Sequence, residues 1–288
     1  MQPDRFSTTA HYVGIARAAH QIIDTPKMFD DPIALKLVGI NQPSELYSVA
    51  NWSETKFSRR RRAFLIGRLL FAETALAEAM KRGVRQYVIL GAGLDTFAYR
   101  NPYSSSTLRV FEVDYPSTQK WKQERLRTEG ISVPETLTMV PVDFETQTSK
   151  EQLSLAGLSS DEPVFFSWLG VSMYLTYETF VATLKDLVLT MPRGSEIVFD
   201  YTIPRSSVKG LFYKAVYALR ARDAAAIGEP LKNFFEPGTL PAILKEIGFS
   251  HAEDVSADEV SRRFFSGRTD KLGDCKVPNF LNMIRATV

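Results

Sequence analysis

The residues of this chain best suited to chemistry are a glycine turn and the acidic residues spaced behind it. Gly91-Ala92-Gly93-Leu94-Asp95 directly follows the short apolar run Gln86 to Leu90. Glycine lets a backbone bend sharply and approach a ligand closely, and the amides of a following helix N-terminus then point at that ligand. In a GxGxxG dinucleotide fingerprint counted from Gly91, the third glycine would fall at position 96, which is Thr96. The nicotinamide pattern therefore lacks its helix-packing glycine.

Asp114 ends the run LRVFEVD and lies 114 − 91 = 23 residues after Gly91. A carboxylate there accepts two hydrogen bonds from a vicinal diol, which suits it to a ribose. Glu112 shares its strand face but sits deeper. Asp143 closes LTMVPVD in the same way. Ligands of open α/β sheets collect at the C-terminal ends of strands, so the ends after Leu90, Asp114, Val142 and Trp168 are expected to form one crevice. The plainer alternative is a tight turn at Gly91 and Gly93, with Asp114 and Asp143 serving only as caps.

Other signals carry less. Tyr174 and Tyr201 follow or end later strands and, as catalytic candidates beside His20, either line an acceptor pocket with Trp168 and Met173 or pack in the core. His20 is a candidate base or a packing histidine, and Arg17 or Arg205 a candidate counter-charge for an anionic acceptor. His11, His20 and His251 have no metal-ligand spacing, so no metal site is expected. The run Arg59 to Arg62 opens an amphipathic helix in a chain of net charge +2 and is read as a solvated helix start, not a nucleic-acid patch. No Gly-x-Ser-x-Gly elbow or Walker loop occurs.

The elements that must position these residues alternate. Apolar Leu65, Leu69, Ala72, Leu76 and Met80 recur at helical spacing between Ser58 and Arg82, and Gly83 stops that helix before the strand Gln86 to Leu90. Strands are predicted at 108–114, 137–143, 164–168 and 196–201, with helices at 115–128 and 177–191 among them. That rhythm predicts an α/β fold on a mostly parallel sheet. Helices at 206–226 and 239–247 and a closing strand at 280–287 follow. Residues 1–57 read as a helical cap, 58–204 as the core and 205–288 as closing helices and strands, together one domain of 288 residues. The 44% hydrophobic content is ample for its core, and one cysteine, Cys275, rules out an internal disulfide. The opening MQPDRFSTTAHYVG has no signal-peptide pattern, and the longest apolar stretch, Pro163 to Leu175, is shorter than the ~18 residues of a membrane span. A cytoplasmic protein with a small-molecule partner is expected, without nucleic acid or membrane.

Several segments give the chain a family likeness. They are Thr9-Ala10 with Ala16-Arg17-Ala18, Phe29-Asp30-Asp31-Pro32, GVRQYVILGAGLDTFAYR from Gly83, FEVDYP from Phe111, PVDFE from Pro141 and FFSWLGVSMYLT from Phe165. In these the chain resembles the leucine carboxyl methyltransferase-like superfamily, in particular a bacterial and fungal branch of S-adenosylmethionine-dependent O-methyltransferases associated with polyketide metabolism. The resemblance implies a Rossmann-like class I methyltransferase fold of seven strands, with helices on both faces. It implies S-adenosyl-L-methionine as cofactor, Gly91, Ala92 and Gly93 beside its methionine part, Asp114 on its ribose, and Asp143 and Phe144 at its adenine. The family's Arg-x-Arg-aromatic pattern reads Arg68-Leu69-Leu70-Phe71 here, so Arg68 remains for the methionine carboxylate and Leu70 replaces the second arginine. A glutamate after the fourth strand of leucine carboxyl methyltransferases is Leu169 here.

The expected activity is transfer of a methyl group to a carboxylate or acidic hydroxyl of a small molecule, with alignment as the main catalytic device. A nicotinamide-dependent oxidoreductase and a noncatalytic cofactor-binding protein are the alternatives.

Overall fold

The computed structural model describes residues 7–48, 52–103, 107–143, 147–226, 230–273, 275 and 277–288. Its centre is one seven-stranded sheet in the order β3-β2-β1-β4-β5-β7-β6. The strands are β1 (Gln86–Leu90), β2 (Arg109–Asp114), β3 (Leu137–Pro141), β4 (Val164–Trp168), β5 (Glu196–Thr202), β6 (His251–Val255) and β7 (Leu281–Thr287). The first five pair in parallel, and β7 runs antiparallel to both β5 and β6. Chain order reverses between β1 and β4, which makes that point the topological switch where an open sheet leaves a crevice. β1 and β4 are buried along their whole length, as strands covered on both faces must be.

Ten α-helices surround the sheet among the described residues: α1 (Thr8–Ile23), α2 (Pro32–Leu37), α3 (Glu45–Ser48), α4 (Lys56–Lys81), α5 (Pro116–Thr128), α6 (Ser149–Leu155), α7 (Tyr177–Asp186), α8 (Leu211–Ala226), α9 (Leu240–Ile247) and α10 (Ala257–Phe265). Thr55 and Ser58 form a capping box that starts α4, and Ser7 caps α1 through the Ala10 amide. α4 packs on β4 and β5 and is itself covered by α1 and α10. Burial therefore extends beyond the one apolar face expected from its spacing, to Ala63, Phe64, Ile66 and Phe71 as well.

The closing strand at 280–287 is observed as β7, while β6, α6 and α10 go beyond the elements expected from sequence. The apolar stretch Pro163 to Leu175 is strand only as far as Trp168, then turns and forms a short 3-10 helix at Ser172–Tyr174. No described helix is long and apolar enough to cross a membrane. The buried Arg62 corrects the reading of residues 59–62 as a solvated helix start. It is fully buried and ion-paired to Asp24 at 2.8 Å and to Glu54 at 2.7 Å.

Candidate active site

The glycine turn leaves β1 toward β2. Gly91 and Ala92 both donate their N–H to the Val113 carbonyl, at 2.8 and 3.0 Å, so the chain folds back over the end of the neighbouring strand. Gly91 has φ +67°, and a Cβ there would lie 2.4 Å from Cγ2 of Val171 in the turn after β4. Both conformation and space require glycine. Gly93 has φ +53°, and its missing Cβ is faced at 3.0 Å by the Cβ of Ala10 in α1.

Asp114 lies at the end of β2 and is buried. One carboxylate oxygen accepts from the Gly93 N–H, the other from the Tyr115 N–H at 2.6 Å. The acidic residue is thereby brought against the glycine turn, at the crevice. Asp143, just beyond β3, is partly buried, and its backbone exchanges hydrogen bonds with Gln147. Phe144 lies outside the described residues.

Arg68 reaches the crevice from α4. Its guanidinium donates to Asp200 in β5 at 3.1 Å, and Asp200 also accepts from the Gly170 N–H in the turn after β4. A Cβ on Gly170, where φ is +75°, would lie 2.8 Å from Arg68 Nη1. Gly170 thus leaves the room in which the guanidinium sits. Asp200 carries a signal that the sequence held, an acidic residue near the end of a strand as at Asp114 and Asp143. Its partner Arg68 is 132 residues away and cannot be inferred locally.

Thr96, where a dinucleotide site would have its third glycine, is fully buried. Its hydroxyl donates to Asp31 at 2.6 Å and accepts from Arg17. A polar clasp to the N-terminal cap replaces the close helix packing that glycine allows.

Three expected roles meet a different environment. His20 is fully buried, and Nε2 accepts from the Met28 N–H at 3.0 Å. Nδ1 must then carry the proton that bonds Asp24 at 2.8 Å, which leaves neither nitrogen available as a base. Tyr201 points to the opposite side of β5 from Asp200, bonded to Asp254 at 2.8 Å and to Asn282 at 3.0 Å. Burial, with the Asp254 charge beside it, pushes its phenol well above the usual range. Arg17 is committed to Asp31 at 2.7 Å, whereas Arg205 is exposed.

The pocket lining expected from sequence is corrected in the same way. Trp168 stacks on Phe180 of α7 at 5.6 Å, and Tyr201 joins that cluster through Phe235. Both therefore pack in the core beneath α7. Tyr174 is only partly buried in the turn beyond β4, and Met173 is buried beside it. Among the described residues no group of three or more His, Cys, Asp or Glu is arranged to hold a metal ion.

The donors at the crevice fit an adenosyl amino acid: a glycine cradle that a Cβ would fill, a carboxylate beside it for a diol, and an arginine for a carboxylate. The leucine carboxyl methyltransferase family profile matches residues 10–188. YktD of Bacillus subtilis, named as an S-adenosyl-L-methionine-dependent methyltransferase, is 31% identical over 99% of this chain and 100% of its own length. A Mycobacterium ulcerans protein named for the same activity is 31% identical, over 67% of this chain and 64% of its own length. The fold is shared with the crystal structure of a DUF574 family protein from Streptomyces avermitilis, at TM-score 0.55 and 16% identity, over 96% of this chain and 97% of that one. The fold is the Rossmann-like one of S-adenosylmethionine-dependent methyltransferases, S-adenosyl-L-methionine is the cofactor, and the chain belongs to the leucine carboxyl methyltransferase family.

Proposed function

We propose that this methyltransferase acts as one domain in the cytoplasm and methylates an oxygen of a small, partly apolar molecule, a carboxylate or an acidic hydroxyl, as in secondary metabolism. The observation that carries this reading is the engagement of two of the three candidate catalytic residues, His20 and Tyr201, while Tyr174 is only partly buried. Both nitrogens of His20 are occupied, and Tyr201 is buried and bonded on the far side of β5. An acceptor already ionised at neutral pH needs no proton removed, whereas an aliphatic alcohol would.

When bound, S-adenosylmethionine supplies an electrophilic sulfonium methyl. The chain's part is to bind and align. Asp114 offers its carboxylate to the ribose diol, Arg68, steadied by Asp200, takes the amino acid carboxylate, and Gly91 to Gly93 bring the backbone close. Asp143 addresses the adenine. Orientation can supply up to roughly 7 to 11 kcal/mol of a barrier in well-aligned reactions, so a base is not required by the chemistry. Incubation with methyl-labelled cofactor and a panel of acids, phenols, amines and thiols tests the reading. Label is expected on acids or phenols, and turnover confined to amines or thiols would overturn it.

A further inference from the structure

The outgoing limb of the glycine turn is held from two sides by buried cations. On one side, Ala10, Gly14 and Arg17 form a stripe along α1 at helical spacing of four and three, laid against residues 93–96. A Cβ on Gly14 would lie 3.0 Å from Leu94 Cδ1. Arg17 donates to the Leu94 carbonyl and to the Asp95 carboxylate, each at 3.4 Å, as well as to Thr96, while Asp31 at 2.7 Å fixes its guanidinium. On the other side, Lys122 of α5 donates to the Asp95 carbonyl at 2.6 Å and pairs with Glu112 of β2 at 2.5 Å. Arg17 and Lys122 are 4% and 1% exposed.

We propose that Arg17 and Lys122 are positioning residues that act together as a clamp on Leu94 and Asp95, holding the cofactor turn in its binding shape before any ligand arrives. Burying two cations is costly unless their charges are paired; here Arg17 is paired with Asp31 and Lys122 with Glu112, Arg17 Nε alone is left without a partner, and Arg17 Nη1 and Lys122 Nζ converge on two consecutive residues of the turn. The Asp95 carboxylate also accepts from the Phe97 N–H at 2.7 Å, so that limb is fixed through both main chain and side chain. Burial alone would raise the Asp95 carboxyl, but the charges of Arg17, Arg100 and Lys122 outweigh it and hold it below the usual range. A turn ordered in advance spares the ligand the entropy of ordering it. The inference is independent of which acceptor is methylated.

The test uses Arg17→Gln, Arg17→Lys and Lys122→Met, with S-adenosylhomocysteine as probe. Calorimetry should show binding about ten-fold weaker in each, because a loosened turn must be ordered at the ligand's expense. Amide exchange should show Asp95 and Phe97 protected in the ligand-free parent, unprotected in the ligand-free variants, and protected again at saturating probe. A role confined to stability would lower the denaturant midpoint and leave both readouts of the folded protein unchanged, which would overturn the proposal. If Arg17→Gln does not fold, Lys122→Met and the ligand-free parent still decide. Fast exchange of those two amides in the parent would equally contradict the clamp.

Discussion

The Asp114 carboxylate accepts a hydrogen bond from the Gly93 N–H, which ties the end of β2 to the glycine turn that leaves β1. Strand order makes β1 and β2 neighbours, so these two segments lie side by side, one strand from the switch between β1 and β4, and the carboxylate shapes the turn beside that crevice.

Asp114→Ala removes the carboxylate proposed to hold the ribose and is expected to weaken binding of S-adenosylhomocysteine by roughly 2 to 4 kcal/mol. Asp143→Ala should weaken it less. Calorimetry on both variants checks the order, and parental affinity in Asp114→Ala would remove this strand end from the site.

Gly91→Ala meets two obstacles, a left-handed backbone and a Cβ placed 2.4 Å from Val171. The conformation costs about 1 to 2 kcal/mol and the overlap about 1 to 3 kcal/mol. Adding Val171→Ala should recover the second part but not the first, which a double-mutant cycle on urea midpoints measures. Equal stability of the single variant and the parent would refute the close approach.

Asp24 gives stability a defined pH dependence. Burial works to raise its carboxyl, but hydrogen bonds from His20 and Arg62 outweigh it and hold the carboxyl below the usual range. A group with a lowered folded-state pKa stabilises fully above the unfolded value of about 4, and that contribution is lost as pH falls through the folded value. Asp24→Asn leaves the buried Arg62 paired with Glu54 alone and is expected to cost roughly 1.5 to 3 kcal/mol at pH 7. Its difference from the parent should shrink below about pH 4. Urea midpoints measured across that range would show a constant difference if the assignment were wrong.

Much of the parallel core was legible because its strands are short, apolar and separated by helical spacing. β1 and β4 coincide with the runs Gln86–Leu90 and Val164–Trp168. β6 was not, since HAEDV lies at the sheet edge with little buried apolar surface, and α10 buries only Ala257, Val260 and Phe265. The glycine turn and Asp114 could be read from their spacing. The interior ion pairs could not, because Arg62 and Asp24 lie 38 residues apart and Arg68 and Asp200 132 apart. Arg62, which read as part of a solvated helix start, is buried by partners that only the fold supplies.

The central claim is that the crevice beside Gly91 and Asp114 is built for an adenosyl amino acid and not a dinucleotide. Calorimetric titration of one protein sample with S-adenosylhomocysteine and with NAD tests it most directly. Saturable binding of S-adenosylhomocysteine with one molecule per chain and no heat from NAD is expected, whereas tight NAD binding with no response to S-adenosylhomocysteine would contradict it.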